Sequence, residues 1–559
     1  MLTLVYPAHA LALVLSCCCN GSLCLINLKS VIMAMHQLFH PEGKLADVQT
    51  LQTARKRSET RLFALLFAIT IGITPLMTLV GVQIGFLLLA SLGVVILCLL
   101  FILRWPSIGL FLAVGCVVLI EQNARPIPIG TDRLYLFYWP PQLEGLVERP
   151  IGFFFLFTLL ILVGHRLSKR QRPLLGGPLF WPYCCFLLCV AWGVLHGLTS
   201  GGSLKSTVLE VRPLWYLFLS YMLAYNLLER KEQVHVFFWL VILGATFKGW
   251  QGVYIFIVQY GGQMHGHNEI MSHEESFFFV ALLLLVMLFC LHHRRRGQFL
   301  VALLALPPVI FSTIANDRRA DYVALLAGMG VAWCLIFVLK KRLRPLLIAL
   351  MLFCALLGGA YTLAFSHASG LAGAPARAVL SVFNAQPTID KDEYSSNIYR
   401  DIENFDLKYT AKQNPLLGYG FGKEFLQPVP LPDISEQDPY YTLVPHNTIY
   451  WIWMRLGPAG YLALWYLFGA LIVRGCIIAR TLRDPYLQLV AIYVVAVAVM
   501  EIIVAYADYQ LFFYRNVIYL GLLAGILFKL PTLDAAQQGG ERNETTRHIP
   551  LSAVAHVGR

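Results

Sequence analysis

The chain has 559 residues, of which 58% are hydrophobic and only 13% charged, with a mean hydropathy of +0.66. Soluble globular chains carry about 25% charged residues, so this one lacks the charge to cover a water-facing surface. Its apolar runs recur along almost the whole length instead of breaking into soluble domains of roughly 100–200 residues. A soluble enzyme, a disordered protein and a secreted disulfide scaffold are excluded, and the chain reads as an all-α polytopic membrane protein. The net charge of +12 does not indicate nucleic acid, because Lys and Arg stand in short clusters between apolar runs, where they orient helices in a bilayer. Most of the thirteen cysteines lie inside apolar segments and none falls between Ala368 and Pro445, so no disulfide framework is implied.

Residues 1–35 are apolar but lack the basic n-region of a signal peptide; they read as a surface helix, a further span or an over-extended start. A basic stretch comes next, up to residue 61. A hydrocarbon core about 30 Å thick requires roughly 20 apolar residues in a helix. On that measure there are about fourteen spans, roughly 62–80, 82–103, 107–121, 151–165, 179–196, 213–228, 234–258, 276–292, 298–314, 321–339, 345–366, 447–472, 486–506 and 510–529, the third of them short. Alternate loops hold Arg55 to Arg57 and Arg61, Arg104, Arg166 to Arg172, Arg230 and Lys231, Arg294 to Arg296, Lys340 to Arg344, and Arg474 to Arg483. The opposite short loops hold far fewer basic residues: Arg125, Arg133, Arg149, Lys205, Arg212, Arg318 and Arg319. The bias places the first set in the cytoplasm. The expected organisation is an N-terminal segment over 1–61, a transmembrane bundle over 62–366, one large external loop over 367–445, C-terminal spans over 446–530, and a polar, disordered cytoplasmic tail over 531–559.

An external loop of that length is uncommon unless it has a function. Within it Ile398, Ile402, Phe405 and Tyr409 fall at i, i+4, i+7 and i+11 and predict one apolar face of an amphipathic helix. Ser396 or Asn397 would cap it, and Asn414-Pro415 would end it. The triplet Gly418, Gly420 and Gly422 follows no strand, so a tight turn is the better reading than a dinucleotide cradle. Pro428, Pro430 and Pro432 then form an extended connector. The whole loop reads as a partly helical lid on the external face.

His446 follows the lid directly, at the external mouth of a helix that Asn447 can cap. On that helix Gly457 and Gly460 would permit close packing. A histidine at a membrane boundary is commonly just interfacial, but here Arg212 and the Arg318-Arg319 pair also stand where spans enter from outside. Helix N-termini favour anions, and arginine offers a planar fork suited to phosphate; lipid headgroup contact is the plainer alternative. The positive end of the helix dipole disfavours imidazolium and leaves His446 able to take a hydroxyl proton, while the arginines would stabilise a departing phosphate. Arg400 on the lid helix would reach the substrate or pair with Glu403 or Glu393, and Glu210 would hold Arg212. His265, His267, His273, Glu274 and Glu275 lie in one external loop, but their spacing matches no established metal site, so no metal or other cofactor is expected. Lys248 and Glu501 lie deep in spans, where ionisable groups are paired or functional, and could pair with each other.

His446-Asn447, nine residues, then Gly457-Pro-Ala-Gly460 resembles the H-[NSQ]-x9-G-x-x-G signature of bacterial O-antigen ligases and Wzy-type O-antigen polymerases. The run Asn414-Pro-Leu-Leu-Gly418-Tyr-Gly420-Phe-Gly422 is similar to the N-P-x-x-G-x-G-x-G stretch of the same superfamily. The resemblance is specific over about 396–470. It implies an inverting, metal-independent glycosyltransferase of the GT-C-like class, multi-pass in the bacterial inner membrane with its active site facing the periplasm. The implied donor is a glycan on undecaprenyl diphosphate, the acceptor another glycan or a lipid-linked one, and the implied neighbours are envelope polysaccharide assembly proteins. In that family the motif histidine, here His446, is implicated as base, and outer-face arginines in diphosphate binding, which Arg212 and Arg318 or Arg319 match by location. The chain departs from the ligases in its span count, fourteen against twelve. A transporter of a small anion or of the lipid-linked glycan is the alternative, although no internal repeat of the transporter kind is visible.

Overall fold

The computed structural model describes residues 86–547 apart from 123–129, 135, 140–147, 264–268, 293–295, 369–371, 374, 378–379, 381–390 and 436–438. The expected span at 62–80, the segment 1–61, His265 and His267 lie outside the described residues. The chain divides into two compact units, Met1–Gly93 and Val94–Arg559. Of the first, only the start of helix α1 (Phe86–Arg104) is described; every element from α2 onward belongs to the second.

All regular structure among the described residues is helical. After α1 come α2 (Ile108–Leu119), α3 (Pro150–Ser168), α4 (Phe180–Thr199), α5 (Leu204–Leu227), α6 (Lys231–Tyr254), α7 (His273–Leu291), α8 (Arg296–Leu304), α9 (Leu306–Ala315), α10 (Arg319–Leu339), α11 (Arg344–Phe365), α12 (Lys391–Gln413), α13 (Thr448–Thr481), α14 (Pro485–Ala507) and α15 (Tyr514–Arg547). Nine helices among the described residues are long and apolar enough to cross a membrane, ten if α8 and α9 form one span bent by 45°. The chain is a multi-pass membrane protein.

Several elements depart from the sequence expectation for physical reasons. The segment expected as one span over 298–314 is broken at Ala305, where Pro307 and Pro308 open α9 and cannot extend the preceding hydrogen-bond ladder. Helix α2 has 12 residues, about 18 Å at 1.5 Å per residue, too short for the full core. Helix α5 begins at Leu204, nine residues before the expected start at 213, with the Ser203 side chain capping Ser206 N–H at 3.4 Å. Arg212 therefore sits inside a helix, not at its N-terminus. Helix α15 continues past Leu530 to Arg547, so the first part of the polar tail is helical, and Asp534 on it accepts the backbone N–H groups of Arg483 and Asp484, each at 3.1 Å.

The centre of the bundle is formed by α5, α7, α14 and α15. Gly521 and Gly525 on α15 lie directly over Ser220 and Ala224 of α5; a Cβ at Gly525 would stand 2.6 Å from that of Ala224. Small residues four apart let helices approach where no hydrophobic drive exists between them. Beside this seam lies a fully buried charge network. Lys248 pairs with Glu121 and, at 3.1 Å, with Glu275; Arg515 holds Glu275 at 2.5 Å and Glu274 at 3.6 Å. The expected Lys248–Glu501 pair is thus corrected: Glu501 instead accepts from Gln510 at 2.9 Å. Charges at this depth persist only when neutralised by partners.

Candidate active site

The site is built on a break in α13. Gly457 has φ 65° and ψ −169°, and Pro458 follows it inside the helix. Proline has no N–H, so the Met454 carbonyl loses its helical donor, and the break removes that of Arg455. Tyr419 N–H donates to Met454 at 2.7 Å and Gly420 N–H to Arg455 at 3.0 Å. The orphaned carbonyls are thereby satisfied, as buried backbone groups require. Gly418, Gly420 and Gly422 have φ of 79°, 80° and 84°, a region that glycine alone enters without strain. At Gly420 a Cβ would also lie 2.6 Å from the backbone of Gly197 on α4. The glycine run is a splint across the broken helix, and Gly457 is both the break and a point of close packing, where a Cβ would stand 2.6 Å from the Leu416 carbonyl.

Two buried side chains lock the splint. Arg455 donates to Gly420 O at 3.0 Å and Leu443 O at 3.2 Å, and pairs with Glu210 at 2.5 Å. Glu210 further accepts from Gly422 N–H at 2.5 Å and Trp451 Nε1 at 3.1 Å. Glu210 therefore does not hold Arg212. Arg212 donates to Tyr514 Oη at 2.9 Å, with Tyr216 and Glu148 also close enough to feel its charge. Polar residues that sequence inspection would leave outside the bundle are buried because the splint supplies their partners, which also explains the early start of α5.

The break leaves a two-turn N-terminal arm of α13 whose cap is Asn447; its side chain accepts Tyr450 N–H at 3.0 Å and donates to Asn404 of α12 at 3.0 Å. His446 stands just before it. Its Nδ1 is 3.1 Å from Glu403 Oε1, and its backbone N–H donates to Glu403 Oε2 at 3.0 Å. The imidazole stacks on Tyr509 at 4.2 Å and meets Tyr399 edge-on at 5.6 Å. Arg318 caps α10 and Arg319 opens it, as expected. Arg318 pairs with Glu269, and Arg319 donates to Asn397 of α12 at 3.1 Å. Asn397 is thus not the cap of the lid helix, which begins earlier, at Lys391.

Arg400 comes from α12, and its charge is felt by Asp508, Arg319, Arg318 and Glu403. Burial lowers the Arg400 guanidinium from its ordinary value, as do its two arginine neighbours, while Asp508 opposes them. No ion pair among the described residues joins it to Glu403, whose two oxygens are both on His446. Asp508, just past α14, accepts from His273 Nδ1 at 3.0 Å and from Tyr509 N–H at 2.8 Å. Burial alone would raise its carboxyl, but His273, Arg318 and His446 hold it well below the usual carboxylate range. His273 also lies 3.3 Å from Glu269, and Glu274 and Glu275 belong to the Arg515 network. The imidazoles of His446 and His273, the guanidinium groups of Arg318, Arg319 and Arg400, and the carboxylates of Asp508, Glu403 and Glu269 therefore gather between α10, α12, α13 and the end of α14.

Most of the lid helix's apolar stripe turns outward: Ile398, Phe405 and Tyr409 are exposed and Ile402 is half-buried against the core, whereas Glu403, Asp406, Leu407 and Thr410 are buried. An apolar stripe faces the core in a water-soluble domain. Here the inner neighbour is a charged site, so the polar arc turns inward. Sequence named Glu403 only as a partner for Arg400, not for His446, and did not single out Asp508; the signal for Glu403 was the polar arc of Arg400, Glu403, Asp406 and Thr410, spaced three or four apart. Asp508 and Tyr509 follow a span directly, and nothing local marks them.

No curated protein matches the chain. Residues 308–465 match the family model Wzy_C, described as O-Antigen ligase. That segment runs from α9 through Arg318, Arg319, the lid, His446 and the break at Gly457. Over these residues the chain is similar to the O-antigen ligase family.

Proposed function

We propose that the protein moves a glycan from undecaprenyl diphosphate to an acceptor hydroxyl at the periplasmic face of the bacterial inner membrane. In this reading it is a GT-C-like, inverting and metal-independent ligase or polymerase of about fourteen spans, working beside other envelope polysaccharide assembly proteins. The observation that carries the reading is the gathering of His446, Arg318 and Arg400 around Asp508 and Glu403, with Arg319 beside Arg400. The acceptor O–H proton passes to Nε2 of His446 as the oxygen forms its bond to the anomeric carbon. The bond from that carbon to the phosphate oxygen breaks, and its electron pair stays on the diphosphate. Arginines remain cationic at any working pH, so they stabilise that charge without moving a proton.

The basis for choosing Arg400 and Arg319 over Arg212 as the diphosphate contacts is proximity: Arg400 lies near Asp508, which also senses His446, and Arg319 lies near Arg400, whereas Arg212 is tied to Tyr514. The test uses full-length protein in proteoliposomes with lipid-linked glycan extracted from the native host. His446→Ala should insert and melt like the parent but lose transfer by about 10²–10⁴-fold, the usual contribution of a positioned base. Full transfer by His446→Ala would remove the mechanism. Deleting the gene separates the two activities: loss of long chains with single repeats still attached marks a polymerase, and loss of all attachment marks a ligase.

A further inference from the structure

We infer that Glu403 is the positioning residue for His446, and that the lid thereby supplies half of the base. The inference rests on the function proposed above. Both oxygens of Glu403 contact the same residue, one at the ring Nδ1 (3.1 Å) and one at the backbone N–H (3.0 Å). Two anchors on one carboxylate fix the ring relative to its own backbone. A carboxylate at Nδ1 makes that nitrogen the donor and leaves the Nε2 lone pair as the acceptor, which is the atom the reaction needs.

Other charged groups near the imidazole do not compete for this role. Asp508 is occupied by His273 and by Tyr509 N–H. Arg318 is paired with Glu269 and Arg319 with Asn397, and Arg400 is a cation. Tyr509 and Tyr399 confine the ring faces and edge without a charge. Glu403 is only 1% exposed, so its contact with the ring is not diluted by water.

The position of Glu403 in the chain gives the arrangement its consequence. The base stands on the arm of α13, and its orienting carboxylate stands on α12, which is joined to the arm by Asn404–Asn447 and to α10 by Arg319–Asn397. A docked lid completes the pair.

The experiment compares Glu403→Ala, Glu403→Gln, Glu403→Asp and His446→Ala in proteoliposomes, with lipid-linked glycan extracted from the native host as donor. For Glu403→Ala, kcat should fall by about 10²-fold with the donor KM unchanged, and Glu403→Asp should recover part of the loss. Hydrogen exchange of the α12 amides in Glu403→Gln should match the parent, because the two asparagine contacts remain. Full kcat in Glu403→Ala alongside an inactive His446→Ala overturns this inference alone; an active His446→Ala overturns the underlying function. Loss of kcat with a raised donor KM and unprotected α12 amides also overturns it, and leaves Glu403 as a lid fastener only.

Discussion

The splint around Gly457 and the lid boundary around His446 adjoin each other on one helix, yet they differ in finish. At the splint, Arg455 and Glu210 are both fully buried, and each is paired with the other and with backbone groups. At the lid boundary, His446 is 15% exposed, His273 25% and Glu269 33%. The Nε atoms of Arg318 and Arg400 are buried there without a hydrogen-bond partner among the described residues, and so is the Nε of Arg455 at the splint. The splint is architecture that holds the arm of α13 in place; the boundary is the side that opens to solvent, at His446, His273 and Glu269.

Four tests would break or sharpen that contrast. The largest structural effect is expected for Arg455→Ala, which strands Glu210 in the bundle. Removing one partner of a buried pair costs about 3–5 kcal/mol, so thermal unfolding in detergent should show a severe loss, or no folded protein at all. Parent-like melting would mean that the splint is not what supports the arm. Next, Arg400→Ala should melt normally while transfer falls by about 10²-fold, and Arg212→Ala should lose less. An equal or greater loss for Arg212→Ala would move the diphosphate seat towards Tyr514.

Gly420→Ala should be destabilised by roughly 1–3 kcal/mol from its backbone angle alone, with more from the approach of Gly197, whereas alanine at Gly201 or Gly469, where a Cβ meets nothing within 4 Å, offers a control for volume. Gly469 is the cleaner of the two because its φ is negative, unlike the 92° of Gly201. The smallest and most specific effect concerns Asp508. Its carboxyl is depressed in the folded protein, so the stability it contributes is complete above its unfolded value of about 3.9. That contribution is lost only as pH falls from there towards the folded value. The melting difference between the parent and Asp508→Asn should therefore shrink as pH falls below about 4. A difference that stays undiminished down to about pH 2 would contradict the ion-pair environment assigned to it.

Much of the site was legible in local sequence because its signals are local. Asn447 caps α13, Arg318 and Arg319 stand at the start of α10, and Asn414 follows the end of the lid helix, each a matter of a few residues and the free groups at helix ends. Glu403 at His446, Glu210 at Arg455 and Lys248 at Glu121 and Glu275 were not legible. Those contacts join residues far apart in the chain, and a carboxylate on a polar arc does not state which cation or imidazole it will meet. The lid misled in a different way: its apolar stripe was plain, but which side it turned depended on what lay beneath.

The sequence by itself determined that this chain lives in a membrane, because apolar length and sparse charge set the solvent a helix can occupy. It also determined the span over 447–472, but not its break at Gly457, since Pro213 and Pro531 sit inside unbroken helices of the same chain. Only the tertiary structure decided that the glycine run repairs that break and that the polar side of the lid faces inward. It alone decided that the imidazole of His446 is held by a carboxylate from another element. Each of these is a choice of partner for a buried polar group, and burial is a property of the assembled bundle, not of any one segment.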